Sequence, residues 1–111
     1  MTKYRIWQPK NVRTHGFLDW DSYQRWVSPT VNPAAYDTVY EGVLPAEDPT
    51  TTLEALFAQF NLSRPSDFHG HSLSMGDIVW LDDTAYYCDT VGWAPIPLGT
   101  ISPHSPTALP I

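Results

Sequence analysis

FHGHSLSMGDIVWL (68–81), followed after DDTA by YYCDTVGW (86–93), is the stretch whose reading decides the fold. Asp77–Leu81 and Ala85–Asp89 each have the apolar, β-branched and aromatic content of a short strand. Asp82-Asp83-Thr84 supplies turn residues between them, so the pair reads as a β-hairpin. The residues before it read as a built entry into that hairpin. Ser72 and Ser74 can bond nearby backbone, Gly76 permits a bend, and Asp77 can accept turn N–H groups. Gly70 allows an unusual backbone angle and His71 can hydrogen-bond across the loop. Gly92 permits a second bend, after which Trp93–Ile96 suits a last short strand.

Working outward, Lys3–Gln8 (KYRIWQ) reads as a strand ended by Pro9, and residues 10–16 as a loop or a hairpin arm. In FLDWDSYQRWV (17–27), Asp19 or Asp21 can cap a short helix that sets Tyr23 and Trp26 on one side. Alternation in Tyr36–Leu44 predicts a strand with Tyr36, Thr38 and Tyr40 on one face. The clearest helix is 52–60. Thr51 and Glu54 form a capping box, and Leu53, Leu56, Phe57 and Phe60 make one apolar stripe. Asn61 suits a left-handed helix end, with Pro65 preventing continuation. The order predicts an α+β fold. It is a small single domain over 1–97, a largely antiparallel sheet of short strands with two helices packed on one side. Residues 98–111, rich in proline, are expected to form an extended tail.

A chain of 111 residues supports one core. Its aromatic content of 14% and hydrophobic content of 42% exclude a disordered chain. Twelve acidic residues against six basic ones give a net charge of −6. Direct nucleic-acid binding needs clustered Lys and Arg to displace counterions, and here they are scattered. A basic protein surface is the partner such a charge favours. The single Cys88 excludes an intrachain disulfide, and no apolar run nears the roughly 20 residues that span a membrane. No N-terminal secretory pattern is present, so a soluble cytoplasmic protein is expected.

Three chemical readings compete in the opening stretch. His69 and His71 could ligate zinc with Asp67, Asp77, Asp89 or Cys88, but a second pair at ligand spacing is missing, and His104 in the tail is a poor third ligand. Cys88, His71 and Asp89 or Asp77 could form a nucleophile, base and orienting acid. Cys88, however, falls within an aromatic strand, where cysteine is usually a small apolar filler. A phosphate loop fails for want of a lysine and the GxxxxGK[ST] spacing. The reading is therefore no enzyme, no metal and no cofactor, with a small enzyme or metal-dependent domain using His71, Asp77, Cys88 and Asp89 as the alternative. Aromatics exceed what one small core needs, which nominates Trp7, Trp20 and Trp93, with Asp82 and Asp83, as partner-binding residues.

The chained motifs YxxVYEGxL (36–44), TLEALFAQFN (52–61), GHSLSMGDIVWL (70–81) and YYCDTVGW (86–93) resemble the YodL-like family of small bacterial domains. The matching positions are Tyr36, Val39, Tyr40, Glu41 and Gly42; Leu53, Glu54, Phe57, Phe60 and Asn61; Gly70, His71, Ser72, Leu73, Ser74 and Asp77; and Tyr86, Tyr87, Asp89 and Gly92. Trp93 stands where the family commonly has phenylalanine, and Gly76 where it more often has serine. The resemblance implies cargo of plasmids, conjugative elements and phages with no settled enzymatic activity. It thus implies an accessory protein binding a host or defence protein, an anti-CRISPR or antirestriction inhibitor being one form.

Overall fold

A computed structural model describes residues 1–11 and 17–96. In chain order the elements are β1 (Thr2–Pro9), α1 (Trp20–Trp26), a 3-10 turn (Pro33–Ala35), β2 (Tyr36–Leu44), α2 (Pro49–Leu62), β3 (Ile78–Leu81), β4 (Thr84–Cys88) and β5 (Trp93–Ile96). The strands form one antiparallel sheet in the order β2-β1-β3-β4-β5. The fold is α+β, as the pattern of elements predicts. The tail 98–111 lies outside the described residues.

The two helices back opposite faces of the sheet, which corrects the expectation that both pack on one side. Strand side chains alternate between faces. On one face Tyr4, Ile6, Val79 and Leu81 meet Leu53, Leu56 and Phe60 of α2, closed by Phe68 and Leu73. On the other, Trp7, Ile78, Ala85, Tyr87 and Ile96 meet Tyr23 of α1 together with Val31 and Tyr36. The sequence hides this because strands of four or five residues are too short to display alternation clearly.

β2 serves both cores through a bulge. Ile6 lies opposite Tyr40 and Trp7 opposite Thr38, so Val39 is an extra residue in the ladder. Strict alternation would put Tyr36 and Tyr40 on one face, and the extra residue separates them. Tyr36 stacks on Trp7 with ring centres 6.0 Å apart, whereas Tyr40 meets Phe60 edge-on at 5.3 Å.

α2 starts and ends beyond its apolar stripe. Asp48 is the N-cap and accepts from the Thr51 N–H at 3.0 Å, with Pro49 at the first helical position, where its missing N–H costs nothing. Thr51 is therefore helical, and the Thr51/Glu54 capping box does not form. Asn61 is also helical. Its side-chain amide donates to the Phe57 carbonyl at 2.8 Å and to the Leu73 carbonyl at 3.0 Å, anchoring the following loop. In α1, Asp19 holds the N-cap position and Tyr23 is buried. Trp26 instead stays 73% exposed and does not share the buried side of Tyr23. The β3–β4 turn is two residues, Asp82 and Asp83, since Leu81 pairs with Thr84. Asp82 takes a φ of 53°, which aspartate tolerates better than most residues.

Gly42 allows the Tyr4 ring to lie across β2. A Cβ there would come 2.6 Å from the Tyr4 hydroxyl and 2.7 Å from Cζ. Because that ring is buried in the α2-side core, Gly42→Ala should cost about 1–3 kcal/mol by overpacking. Val91→Ala, at a position 89% exposed, should change stability by less than about 0.5 kcal/mol. Thermal denaturation of both variants checks the contrast; equal melting temperatures would contradict the close contact.

Candidate functional site

The loop joining α2 to β3 is stitched to β1 by one side chain, Gln8. Its amide pairs with the main chain of His71 as a strand would. Gln8 Nε2 donates to the His71 carbonyl at 2.8 Å, and Gln8 Oε1 accepts from the His71 N–H at 3.2 Å. The second Nε2 hydrogen goes to Asp77 Oδ2 at 3.1 Å. Gly70 makes room for this, because a Cβ there would lie 2.4 Å from Gln8 Oε1 and 2.9 Å from the Phe68 ring. Asp77 Oδ2 also accepts from the Ser74 N–H at 2.8 Å, and Ser74 Oγ donates to the Ser72 carbonyl at 2.7 Å. Gly76, at a φ of 99°, turns the chain into β3.

The proton inventory fixes the His71 tautomer. Both Gln8 Nε2 hydrogens are engaged, so the nearby His71 Nδ1, 3.2 Å from Nε2, receives neither. Nδ1 itself donates to the Ser72 carbonyl at 2.8 Å. In neutral His71 this leaves Nε2 without a proton, buried, and with no hydrogen-bond partner among the described residues. It faces Asp77 Oδ1 at 3.8 Å. Burial pushes the Asp77 carboxyl up to about 7, against the opposing pull of the Ser74 N–H, the His71 charge and Gln8. Asp77 can therefore hold a proton near neutrality. Phe17 partly covers the imidazole, with ring centres 6.1 Å apart.

These contacts hold the loop onto the sheet. Asp77 is 1% exposed. Cys88 is buried on β4, and burial pushes its thiol up to about 12, leaving little thiolate at neutral pH. Asp89 is engaged elsewhere, accepting from the Trp20 N–H at 3.1 Å and the Thr90 N–H at 2.8 Å. Asp67 accepts from the Tyr40 hydroxyl at 3.0 Å, away from the exposed His69. Among the described residues, no group of three His, Cys, Asp or Glu could hold a metal ion.

The nominated partner-binding residues do not converge. Trp7 is buried between Tyr36 and Trp80 and offers little surface. Trp20, half-buried, lies over Tyr23 and Tyr87, whereas Trp93 meets Phe57 against the opposite face of the sheet. Asp82 and Asp83 are exposed and border a cleft of about 650 Å³, together with Lys3, Tyr4, Arg5, Glu41 and Gly42. Gly92, at a φ of 71°, sits in the turn before β5.

One residue and one role escaped the sequence reading. Gln8 is a polar residue at a strand end, and nothing in periodicity marks a glutamine for burial. Only its inward alternation with Tyr4 and Ile6 hints at it. Tyr87, within the opening stretch, donates its hydroxyl to the Leu18 carbonyl at 2.8 Å, so with Asp89 it ties the start of α1 to β4.

The family model for the YodL-like domain matches residues 3–98. The chain belongs to that family. No curated protein and no solved structure matches it. The motif positions GHSLS, Asp77, Tyr87 and Asp89 are thus the ones that dock the α2–β3 loop and α1 onto the sheet.

Asp77→Ala would leave the Ser74 N–H and one Gln8 hydrogen unpaired, at a cost of about 1–3 kcal/mol. Thermal denaturation should show a drop of several degrees. In the folded protein Asp77 binds a proton up to about pH 7, whereas an unfolded aspartate releases it near its ordinary value. Its contribution is therefore fully present in acid and is lost as pH rises from roughly 4 toward 7. Asp77→Asn should flatten that stretch of the stability profile; an unchanged slope would place the proton elsewhere.

Proposed function

We propose that this member of the YodL-like domain family is a non-enzymatic protein-binding accessory factor of a mobile element, acting in the cytoplasm on a host or defence protein with a basic surface. The observation that carries this reading is a division of labour among its polar residues. The chemistry-bearing motif residues are buried or engaged within the fold. The carboxylates Glu41, Glu47, Asp82 and Asp83 stay exposed, bordering clefts of about 650 and 360 Å³ near the β3–β4 turn.

That turn is held firmly. Lys3 N–H donates to Asp82 Oδ1 at 3.0 Å, and the Asp82 N–H donates to the Lys3 carbonyl at 2.8 Å. Fixed carboxylates lose little freedom when a partner docks, so more of the attraction survives as affinity. With a net charge of −6, the specific form we favour is an inhibitor occupying the basic nucleic-acid channel of a host defence nuclease, as an anti-CRISPR or antirestriction protein would.

Capture of partners from a bacterial lysate at about 0.1 M and about 0.5 M salt tests this. A partner retained at low salt and released at high salt is expected, and Asp83→Lys should reduce its capture severalfold without changing the circular dichroism. Capture indifferent to both salt and charge reversal would rule out the electrostatic mode. Stoichiometric zinc in the purified protein would revive the enzymatic alternative.

A further inference from the structure

The sheet's two edges are treated differently. β5 is four residues long and carries Pro95, which lacks a backbone donor and so discourages further pairing. β2 is nine residues long, with neither proline nor lysine, and among the described residues no strand pairs with its outer edge. Past the bulge at Val39 its pairing with β1 runs unbroken from Tyr40 opposite Ile6 to Leu44 opposite Thr2. The half of β2 best shaped to accept another strand is thus left unprotected.

Glu41 and Val43 are both exposed and share one face, Glu41 opposite Arg5 and Val43, 54% exposed, opposite Lys3. An added strand would set its side chains beside these two. Arg5 and Lys3 of β1 lie directly behind these two, and Asp82 and Asp83 border the same cleft, so carboxylates outnumber cations along it three to two. A second copy is a poor occupant. Antiparallel self-pairing about Gly42 would set each Glu41 opposite Val43 and bring two chains of net charge −6 together.

We infer that the outer edge of Tyr40–Leu44 receives an extended segment of the partner protein, with Lys or Arg alternating with apolar residues, as a sixth strand. Main-chain hydrogen bonds hold the segment, and Glu41 selects its charge. The inference rests on the binding-module reading and assigns that module its contact surface.

Titration of isotope-labelled protein with a short blocked peptide alternating valine with lysine, followed through the amide resonances, tests it. Shifts confined to β2 and neighbouring β1 are expected. Val43→Lys and Glu41→Lys, at exposed positions that should leave folding intact, should each weaken binding on the order of tenfold. A matched valine–glutamate peptide binding equally well, or shifts centred on α1, would overturn the inference. So would sedimentation showing a dimer that Val43→Lys dissolves, because the edge would then serve a second copy. If a salt-labile lysate partner is captured equally by Val43→Lys, this edge assignment falls while the binding reading stands. Peptide binding at β2 without any captured partner would support the edge and count against the reading.

Discussion

The buried pairing of Gln8 with His71 and Asp77 is the interaction on which the rest of the structure depends. It joins residues 69 positions apart and closes one end of the sheet. A carboxyl at 1% exposure is costly to bury, and the Ser74 N–H and the Gln8 amide offset part of that cost directly. The loop conformation is thereby over-determined. Gly70 must lack a side chain, Gly76 must turn, and Ser74 must present its N–H inward. A motif that suggests a reaction centre is explained by these demands.

A second constraint is the single extra residue at Val39. Without it, β2 could serve only one of the two cores with its large tyrosines. With it, Tyr36 joins the stack around Trp7 and Tyr40 joins the ring cluster around Phe60. The sheet can then be covered on both faces by helices of modest size. The same irregularity divides β2 into a half tied to the 3-10 turn and a half that runs straight and open.

Much of the architecture was legible from composition and spacing. The hairpin from Asp77 to Cys88, the strand at Tyr36–Leu44 and the apolar stripe of α2 announce themselves through alternation or helical periodicity. Three features did not. A bulge leaves no mark in a pattern that stays apolar on both sides. The true cap at Asp48 was hidden by a plausible one at Thr51, three residues on. Helix placement on opposite faces depends on which side of each strand is apolar, and β3 and β4 are apolar on both. At the site, His71, Ser74 and Asp77 were readable as turn-formers, but Gln8 was not, because its role is defined by a partner far along the chain.

The interior position of β1 carries a further consequence, for the order of assembly. β1 is first in the chain, yet one of its two neighbours is β3, with Tyr4 opposite Leu81. Pairings this distant in sequence must await closure of a long loop, which slows folding relative to local hairpins and helices. During synthesis, Ile6 and Trp7 leave the ribosome long before Val79 and Ile78 exist to cover them. Until β3 emerges, β1 therefore has β2 on one edge and an open edge on the other, and the β3–β4 hairpin is what covers that second edge.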